Sequence, residues 1–461
     1  MKLICLAMLL FLWVSPMSTT SSKTVVRIKR QAMEYACQTQ RRPLQRAFGI
    51  IPIPELNQKK ESSGGILGGI FGAGQALVSN VVNLVGIRIL DVKLPDLNVK
   101  LVPKVGMQVS VDTHIHISGN LLVLGAIELK LAAGVLADVQ VSKTSRGVPI
   151  MAVSACKSIL GDIDITVGGL GLLRPVIRAI QGHIHAILGE RLCVSFSNTF
   201  LGFNANFGLV AEKNSISKDL GLQYTLQKPP VVAGDYMDMD MDAEYTVHEQ
   251  VVEFPTGSQE FTLPPGAGNK DAMVNMGFSQ DYFSSLFVAF LSSGGFNLEI
   301  LSTHIRCRYP QPRPVNVNIV LSQTPVVTIR TNQIIVQISP NVEMSVVLPN
   351  SRYEHLFTIN VEASLVASLD IKGGKLKTSV SLQGDLKLVF ASVSFLKRTC
   401  KPSLLSGYMR TVFEKAYLIQ INEALSVGVS LPSLPNIHYI HQVVEIEKNY
   451  VVMSCDVQYS K

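Results

Sequence analysis

The sequence predicts an α+β protein of two related domains, each a curled antiparallel sheet closed by a long helix. Three observations lead to this prediction. Apolar and polar residues alternate over several long stretches, as they do in strands that bury one face. In each half of the chain the alternation then gives way to apolar residues spaced by three and four, which is typical of an amphipathic helix. Because strands, a long helix and a further strand follow one another twice, one architecture repeated is the economical solution.

The composition leaves ample material for large apolar cores. Of 461 residues, 47% are hydrophobic and 16% are charged, and the length exceeds that of one ordinary domain. Charge is divided unevenly, with a net +11 over residues 1–230 and −4 over residues 231–461. A basic first half either attracts anionic partners such as phospholipid and lipopolysaccharide headgroups or simply carries solvated side chains on loops.

Residues 1–20 are predicted to form a secretory signal peptide. Lys2 precedes an apolar run over residues 3–14, which is shorter than the roughly 20 residues of a membrane anchor, and small polar residues follow. We therefore expect a secreted, extracellular protein. Six cysteines remain beyond this segment, and an oxidising compartment permits disulfides between them without dictating the pairs. They are Cys37, Cys156, Cys193, Cys307, Cys400 and Cys455.

The mature chain begins with its most basic stretch, residues 23–49, which we interpret as a short strand followed by a basic helix. The stretch includes Arg41, Arg42 and Arg46. No recognised nucleic-acid-binding motif accompanies these charges, so no nucleic-acid partner is expected. Residues 64–87 carry no charge and begin with clustered glycines, which favours a surface-seeking apolar flap followed by a strand over a membrane span.

The most regular alternation covers residues 105–117, where it predicts a long half-buried strand. The polar face of this strand includes His114 and His116, which could in principle chelate a metal ion. No cysteine or carboxylate arrangement nearby completes such a site, so solvent-facing histidines are expected. Shorter strands are expected at residues 126–132 and 163–167.

A long helix is predicted to follow these strands, because the apolar spacing changes to three and four. His183 and His185 lie two positions apart on it and do not face one another, which weakens a role as metal ligands. The residues expected on the apolar face of the helix are Ile177, Ile180, Ile184 and Leu188.

Residues 228–230, with two consecutive prolines, are predicted to connect the two domains, which would then cover residues 21–228 and 229–461. Just beyond this connector, Asp and Met alternate in "DYMDMDMDAEY". Asp is a hard ligand for calcium and Met a soft ligand for copper, so one ion would not normally take both. We interpret the stretch as a strand with one wet and one buried face.

The second half of the chain predicts a long hairpin, a helix and a terminal strand. Apolar rows over residues 359–371 and 376–390 flank Gly373 and Gly374, which turn the chain. Residues 451–459 supply the terminal strand. The residues expected on the apolar face of the helix are Leu405, Met409, Val412, Ala416 and Ile419.

Six stretches of the chain resemble the BPI/LBP/PLUNC superfamily, and within it the BPI fold-containing family B, the long PLUNC branch. They span nearly the whole mature chain in order, and their collinearity with matching cysteines is specific, although each pattern alone is soft. The stretches are "TVVRIKRQAMEYACQTQRRPLQRAF", "IRILDVKLPDLNVKLVPKVGMQVSV", "VSACKSILGDIDI", "ERLCVSFSN", "LQYTLQKPP" and "RTVFEKAYLIQINEALSVGVSLPSLPNIHY".

The resemblance implies an elongated boomerang of two barrel-like domains joined by a central sheet, each with an apolar pocket that takes phospholipid acyl chains. It also implies a disulfide between Cys156 and Cys193. From the motifs above, we expect no cofactor and no metal. The pairing of the other cysteines stays open, and in particular Cys307 and Cys400 are paired, free or intermolecular.

The sequence departs from the bactericidal members of the family, whose lysine-rich loops at the N-terminal tip meet lipid A phosphates. At the two corresponding places this chain keeps Lys59 and Lys60 but has no basic residue over residues 118–126. We assign contact with anionic headgroups to these two lysines together with Arg41, Arg42 and Arg46. Lipid binding therefore carries over better than endotoxin neutralisation.

The expected function is that of a non-catalytic secreted protein that holds phospholipid or other acyl chains, in innate host defence at epithelial or secretory surfaces, with peripheral membrane contact. The alternatives are an antimicrobial protein that binds lipopolysaccharide or bacterial surfaces, a lipid-transfer protein and a scaffold. An enzyme is not expected, because the sequence has no Gly-x-Ser-x-Gly elbow, no His-Glu-x-x-His motif and no dinucleotide-binding glycine pattern.

Overall fold

The computed structural model describes most of the chain, and the signal peptide, Lys59, Lys60, Cys307, Cys400 and nearly all of the expected flap lie outside the described residues. The described residues are 23–56, 84–122, 125–167, 174–207, 213–252, 254, 260–305, 313–349, 352–393, 402–432 and 437–459. Within them no helix combines the length and the apolar character needed to cross a bilayer. The helices are α1 (Arg30–Thr39), α2 (Arg41–Gly49), α3 (Arg174–Phe207), α4 (Gln280–Ser292), α5 (Pro402–Val412), a π turn (Phe413–Tyr417) and α6 (Leu418–Ser426).

Strands make up most of the ordered structure, and every pairing between them is antiparallel. The strands of the first half are β1 (Thr24–Lys29), β2 (Leu84–Lys93), β3 (Leu97–Val102), β4 (Gly106–Leu121), β5 (Gly125–Lys143), β6 (Pro149–Val167), β7 (Asn214–Ser215) and β8 (Leu220–Leu226). The next strands along the chain are β9 (Val231–Val232), β10 (Tyr236–Val247), β11 (Gln250–Val251), β12 (Val274–Ser279), β13 (Leu298–Ile305) and β14 (Arg313–Val320). The remainder are β15 (Val326–Arg330), β16 (Gln333–Ile338), β17 (Asn341–Val347), β18 (Tyr353–Lys372), β19 (Lys375–Val393), β20 (Val429–Ser430), β21 (Ile437–Glu447) and β22 (Tyr450–Tyr459).

These strands form three sheets. The first sheet has the order β2-β4-β5-β6, with β3 also paired to β4. The central sheet runs β21-β22-β12-β1-β10-β8-β7, with β9 and β11 on β10. The third sheet runs β13-β14-β17-β18-β16-β15, with β19 between β18 and β20. We call β2–β6 with α1–α3 the N lobe, and β13–β20 with α5 and α6 the C lobe. The predicted fold class is confirmed, because a central sheet joins two α+β lobes.

The N lobe buries one face of its sheet against α3. The long strand expected at residues 105–117 is β4, and its residues alternate between buried and accessible as predicted. The buried face of α3 differs from the prediction, because Ile177 is only half-buried and Val176 takes its place. Successive buried residues are four apart, which turns the apolar stripe by about 40° at each step and lets the helix follow a curled sheet. They are Val176, Ile180, Ile184, Leu188, Leu192 and Phe196.

The central sheet combines strands from the beginning, the middle and the end of the chain. Its middle strand, β1, is the first strand of the described residues, and it pairs with β10 on one side and β12 on the other. The strands before and after the expected connector at residues 228–230, β8 and β9, both pair with β10. We keep the division into residues 21–228 and 229–461 as a proposal.

The Asp and Met stretch forms β10 as predicted, but the expectation of one wet face was wrong. Asp240 and Asp242 are buried as well as Met237 and Met241, because β10 lies inside the sheet and is covered on both sides. Each of three aspartates therefore has a basic partner. Asp238 pairs with Arg27 at 2.8 Å, Asp240 with Lys228 at 2.9 Å and Asp242 with Lys23 at 3.5 Å. Burial raises the pKa of Asp240, and Lys228 opposes that shift.

In the C lobe the predicted hairpin is confirmed as β18 and β19. Its turn needs a positive φ at two positions, which Gly373 (φ 60°) and Gly374 (φ 71°) adopt without strain. The following helix differs from the prediction, because the π turn inserts one residue into the helical repeat. As a result Ile419 is 49% exposed, and Phe413, Tyr417, Ile421 and Leu425 continue the buried face.

Candidate functional site

In each lobe a long helical segment lies along the last long strand that precedes it. In the N lobe α3 packs along β6, and in the C lobe α5, the π turn and α6 pack along β19. Helix and strand are antiparallel in both cases, because the end of the helix contacts the start of the strand. We call these two lines of contact the N seam and the C seam.

Apolar side chains on the inner face of each seam strand remain accessible, whereas their cross-strand neighbours are fully buried. In the C seam, Ile359 is 0% exposed and its neighbour Phe390 is 44% exposed. In the N seam, buried Val139 faces half-buried Val153. The other half-buried apolar residues on these inner faces are Met151, Leu160 and Ile165 in β6 and Leu382, Leu386 and Leu388 in β19. Each lobe therefore has an apolar line that water still reaches.

An asparagine near the end of the helix clamps the start of the strand in both seams. Asn204 accepts a hydrogen bond from the backbone N–H of Met151 at 2.7 Å and donates one to its carbonyl at 2.8 Å. Asn422 accepts from the N–H of Val380 at 2.7 Å and donates to its carbonyl at 2.9 Å. These equivalent side chains, at equivalent places, support the relatedness of the two lobes. Neither asparagine was singled out from the sequence, since no local pattern distinguishes them.

The N seam has further ties along its whole length. Cys156 in β6 and Cys193 in α3, the pair implied by the family resemblance, form a disulfide with Cα atoms 5.8 Å apart. Ser158 donates a hydrogen bond to the Gly189 carbonyl. His185 contacts the Gly161 carbonyl at 3.0 Å, nearer the start of the helix. Helix side chains thus satisfy the free backbone edge of β6 and hold the helix against it.

The C seam is tied at fewer places. Besides the Asn422 clamp, the described part of the chain supplies one other polar contact between this helix and β19, the ion pair of Arg410 with Asp385 at 2.5 Å. Both of these side chains are largely exposed, so the pair contributes little to stability. The C seam is therefore anchored at one end and only weakly held towards Phe390.

The arginines assigned to headgroup contact lie on α2. Leu44 and Phe48 anchor this helix in the N-lobe core, while Arg42 and Arg46, one turn apart, are exposed. Neither has an acidic partner within the described ranges. Arg41 is half-buried and donates to the Pro95 carbonyl instead. The helix therefore brings two of the three arginines together, and contact with headgroups stays a prediction.

The histidines considered as metal ligands have separate contacts. His116 lies 3.3 Å from Glu128, and His183 and His185 bind the carbonyls of Pro54 and Gly161. In the regions that are described, no three metal-ligating side chains cluster.

Comparison with known proteins assigns both halves of the chain to one family. Residues 32–202 match the LBP / BPI / CETP family, N-terminal domain. Residues 214–308 and 304–459 match the LBP / BPI / CETP family, C-terminal domain.

Individual relatives agree over nearly the full length. BPI fold-containing family B member 2 of Homo sapiens is 28% identical, with 98% of each chain covered. Bactericidal permeability-increasing protein of Sebastes schlegelii is 21% identical over 94% of this chain and 95% of its own. The crystal structure of lipopolysaccharide binding protein superposes with a TM-score of 0.60 at 17% identity, covering 96% of this chain and 100% of that chain, which shows the shared fold. The chain belongs to the LBP/BPI/CETP family.

Proposed function

We propose that this protein is a secreted, non-catalytic lipid-binding protein of host defence that holds phospholipid or other acyl chains along its seams. The observation that carries the proposal is the accessible apolar line on the inner face of β19 and of β6. A hydrocarbon chain laid there would displace water, and each methylene buried is worth about 0.8 kcal/mol. The names of two similar proteins, lipopolysaccharide binding protein and bactericidal permeability-increasing protein, add support.

The test compares neighbouring residues of one strand. Leu388 faces the C seam, whereas Val389 is exposed on the opposite face of β19. Leu388→Asn should weaken the uptake of a fluorescent fatty acyl probe about tenfold, because a polar amide replaces apolar contact area. Val389→Asn is the matched control and should leave uptake unchanged. In the N seam, Leu160→Asn and Ile159→Asn form the equivalent pair.

The bound lipid itself provides the second measurement. Organic extraction of protein purified from the culture medium should release phospholipid or fatty acid, identified by mass spectrometry. Protein that carries no lipid and takes up no probe would overturn the proposal. Exchange of the probe between donor and acceptor vesicles separates lipid transfer from simple holding.

A second candidate function, binding to anionic bacterial surfaces, is favoured by Arg42 and Arg46 on α2, which are exposed and have no acidic partner among the described residues. Replacing both by Gln should weaken attachment to lipopolysaccharide vesicles by about 1 kcal/mol per arginine and reduce its sensitivity to salt. The control replaces two exposed lysines on the first sheet, Lys130→Gln with Lys157→Gln, and removes the same charge. Equal effects of the two double variants would show that attachment depends on the overall net charge of the protein and not on α2.

A further inference from the structure

The exposed side of α2 is basic along the helix and apolar at its end. Arg42, Arg46 and Ile50 follow one another at intervals of four residues, so their side chains project from the same side of the helix. Ile50 still belongs to this turn, because its N–H donates to the Arg46 carbonyl at 3.1 Å. Its side chain is 80% exposed, more than any other large apolar side chain among the described residues.

The residues after Ile50 extend this apolar surface. Ile51 and Ile53 are buried in the N-lobe core, whereas the alternate residues Pro52 and Pro54 are exposed. We call Ile50, Pro52 and Pro54 the apolar ridge. The ridge therefore presents three exposed side chains without a polar atom directly beside two exposed arginines.

Contacts on its inner side hold the apolar ridge in place. His183 Nε2 lies 2.7 Å from the Pro54 carbonyl oxygen. Two residues further on, Leu56 and Leu84 exchange two backbone hydrogen bonds of 2.9 and 3.1 Å. The proline rings also fix the backbone at two positions of the ridge. A surface that is already rigid loses little conformational entropy when it binds.

The backbone of the ridge has few free hydrogen-bond donors. Pro52 and Pro54 carry no N–H group, and the N–H groups of Ile50 and Ile51 donate to carbonyls of the last turn of α2. A protein partner is held in part by hydrogen bonds across its interface. Hydrocarbon, in contrast, penalises every backbone group that lacks a partner. The ridge therefore suits a lipid surface better than a protein surface.

The arginines define the charge of that lipid surface. Arg42 and Arg46 have no acidic partner within the described ranges. Glu55 follows the ridge at its other end, where its carboxylate accepts a hydrogen bond from the Gly86 N–H at 3.4 Å. An arginine side chain is long enough to stay at headgroup level while a neighbouring apolar residue enters the acyl region. An anionic bilayer supplies both partners, phosphates for the guanidinium groups and hydrocarbon for the ridge.

We propose that α2 and the apolar ridge form a docking surface for an anionic lipid bilayer, with Arg42 and Arg46 on the headgroup phosphates and Ile50 among the acyl chains. This inference rests on the second candidate function, binding to anionic surfaces, and names the partner as a bilayer whose hydrocarbon takes part in binding. Two separable contributions to binding follow, one that salt screens and one that salt leaves intact.

A tryptophan introduced at the ridge measures insertion directly. Trp13, the only tryptophan of the sequence, lies in the predicted signal peptide, so Ile50→Trp adds a single reporter to the secreted protein. Its emission should move to shorter wavelength with vesicles of phosphatidylcholine and phosphatidylglycerol in a ratio of about three to one, and lipids with brominated chains should quench it. Leu301→Trp is the matched control, because Leu301 is 68% exposed in β13 of the third sheet, and its emission should not change.

Vesicle flotation measures the two contributions. Ile50→Ser should weaken binding to these vesicles about tenfold, because a large apolar side chain no longer leaves water. Leu301→Ser should leave binding unchanged. Arg42→Gln with Arg46→Gln should weaken binding at low salt and remove most of its salt dependence, whereas Ile50→Ser should keep that dependence.

Heparin, a polyanion without hydrocarbon, separates insertion from charge. It should bind the wild type and Ile50→Ser equally and should bind the double arginine variant less well. The thermal unfolding temperatures of Ile50→Ser and the wild type should also agree, because an exposed side chain contributes little to the core.

Three results would overturn the inference. Equal vesicle binding by Ile50→Ser and the wild type, or an unchanged emission of vesicle-bound Ile50→Trp, removes the apolar contribution while the second candidate function stands. Weaker heparin binding or a lower unfolding temperature of Ile50→Ser assigns Ile50 a structural role. Self-association of the lipid-free wild type that Ile50→Ser abolishes identifies a second copy of the chain as the occupant. Wild-type protein that binds neither anionic vesicles nor heparin contradicts the second candidate function as well.

Discussion

The N seam and the C seam have the same arrangement of helix and strand, but they differ in how many side-chain contacts hold the helix against the strand. Both place a long helix along the last long strand that precedes it, and both fix the start of that strand with an asparagine. The N seam adds a disulfide and side-chain hydrogen bonds along the helix, whereas the C seam relies on its asparagine and an exposed ion pair. A few side chains thus tie the helix to the strand along the whole N seam, whereas among the described residues the C seam has polar ties at two places only.

Two cysteines allow the two regions to be monitored separately. Cys37 packs against the N-lobe core and Cys455 lies in the core shared by the central sheet and the C lobe. Burial raises the pKa of each thiol to about 12. Because only the thiolate reacts, and it forms in quantity only as the pH approaches 12, labelling by iodoacetamide at pH 8 should be about a thousandfold slower than in the unfolded chain. Peptide mass spectrometry measures both sites in one sample, and rapid labelling of either cysteine in the native protein would contradict the burial described.

Removing the disulfide should have the largest effect on the difference in stability between the two lobes. Cys156→Ala with Cys193→Ala opens a loop of 37 residues, for which chain entropy predicts a loss of about 4 kcal/mol from the N lobe. Hydrogen exchange should accelerate in β5 and β6 and stay slow in β18 and β19, and Cys37 should become labelled before Cys455. Equal acceleration in both lobes would mean that they unfold as one unit.

The asparagine clamps test whether the additional ties matter. Asn204→Ala and Asn422→Ala each leave a backbone N–H and C=O without their partner, so each should lower the free energy of unfolding by about 2 kcal/mol. Only Asn422→Ala should speed the uptake of an acyl probe, since the disulfide still holds the N seam in the other variant. The same rates in both variants would show that the ties of the N seam do not restrict its opening.

The smallest effect is expected from the exposed ion pair of the C seam. Arg410→Gln should change the free energy of unfolding by less than about 1 kcal/mol, because solvent screens both charges. Chemical denaturation with urea measures this change. A loss as large as that from Asn422→Ala would show that the C seam is held more evenly than its contacts indicate.

Much of the fold could be predicted from local patterns. The alternation over residues 105–117 and the paired glycines at 373 and 374 are signals contained in a few neighbouring residues, and both led to the observed strand and hairpin. The errors arose where a distant segment or a helical irregularity intervened. Asp240 was expected to face solvent because its partner strands could not be known, and Ile419 was misplaced because one inserted residue shifts every later position of the helix.

The candidate site was less predictable for the same reason. Arg42 and Arg46 could be recognised as an exposed pair from their spacing of four. Asn204 and Asn422 could not be recognised, because the local sequence does not show which backbone groups an asparagine near the end of a helix will contact.

By itself, the sequence determined the succession of strands and helices, the α+β class and the family, because these follow from periodicity and from collinear motifs along the chain. Tertiary structure alone decided which strands are tied to a helix and which carboxylates find basic partners. Those properties depend on contacts between residues far apart in the chain, such as Arg27 with Asp238 or Asn422 with Val380, and no short stretch of sequence encodes them.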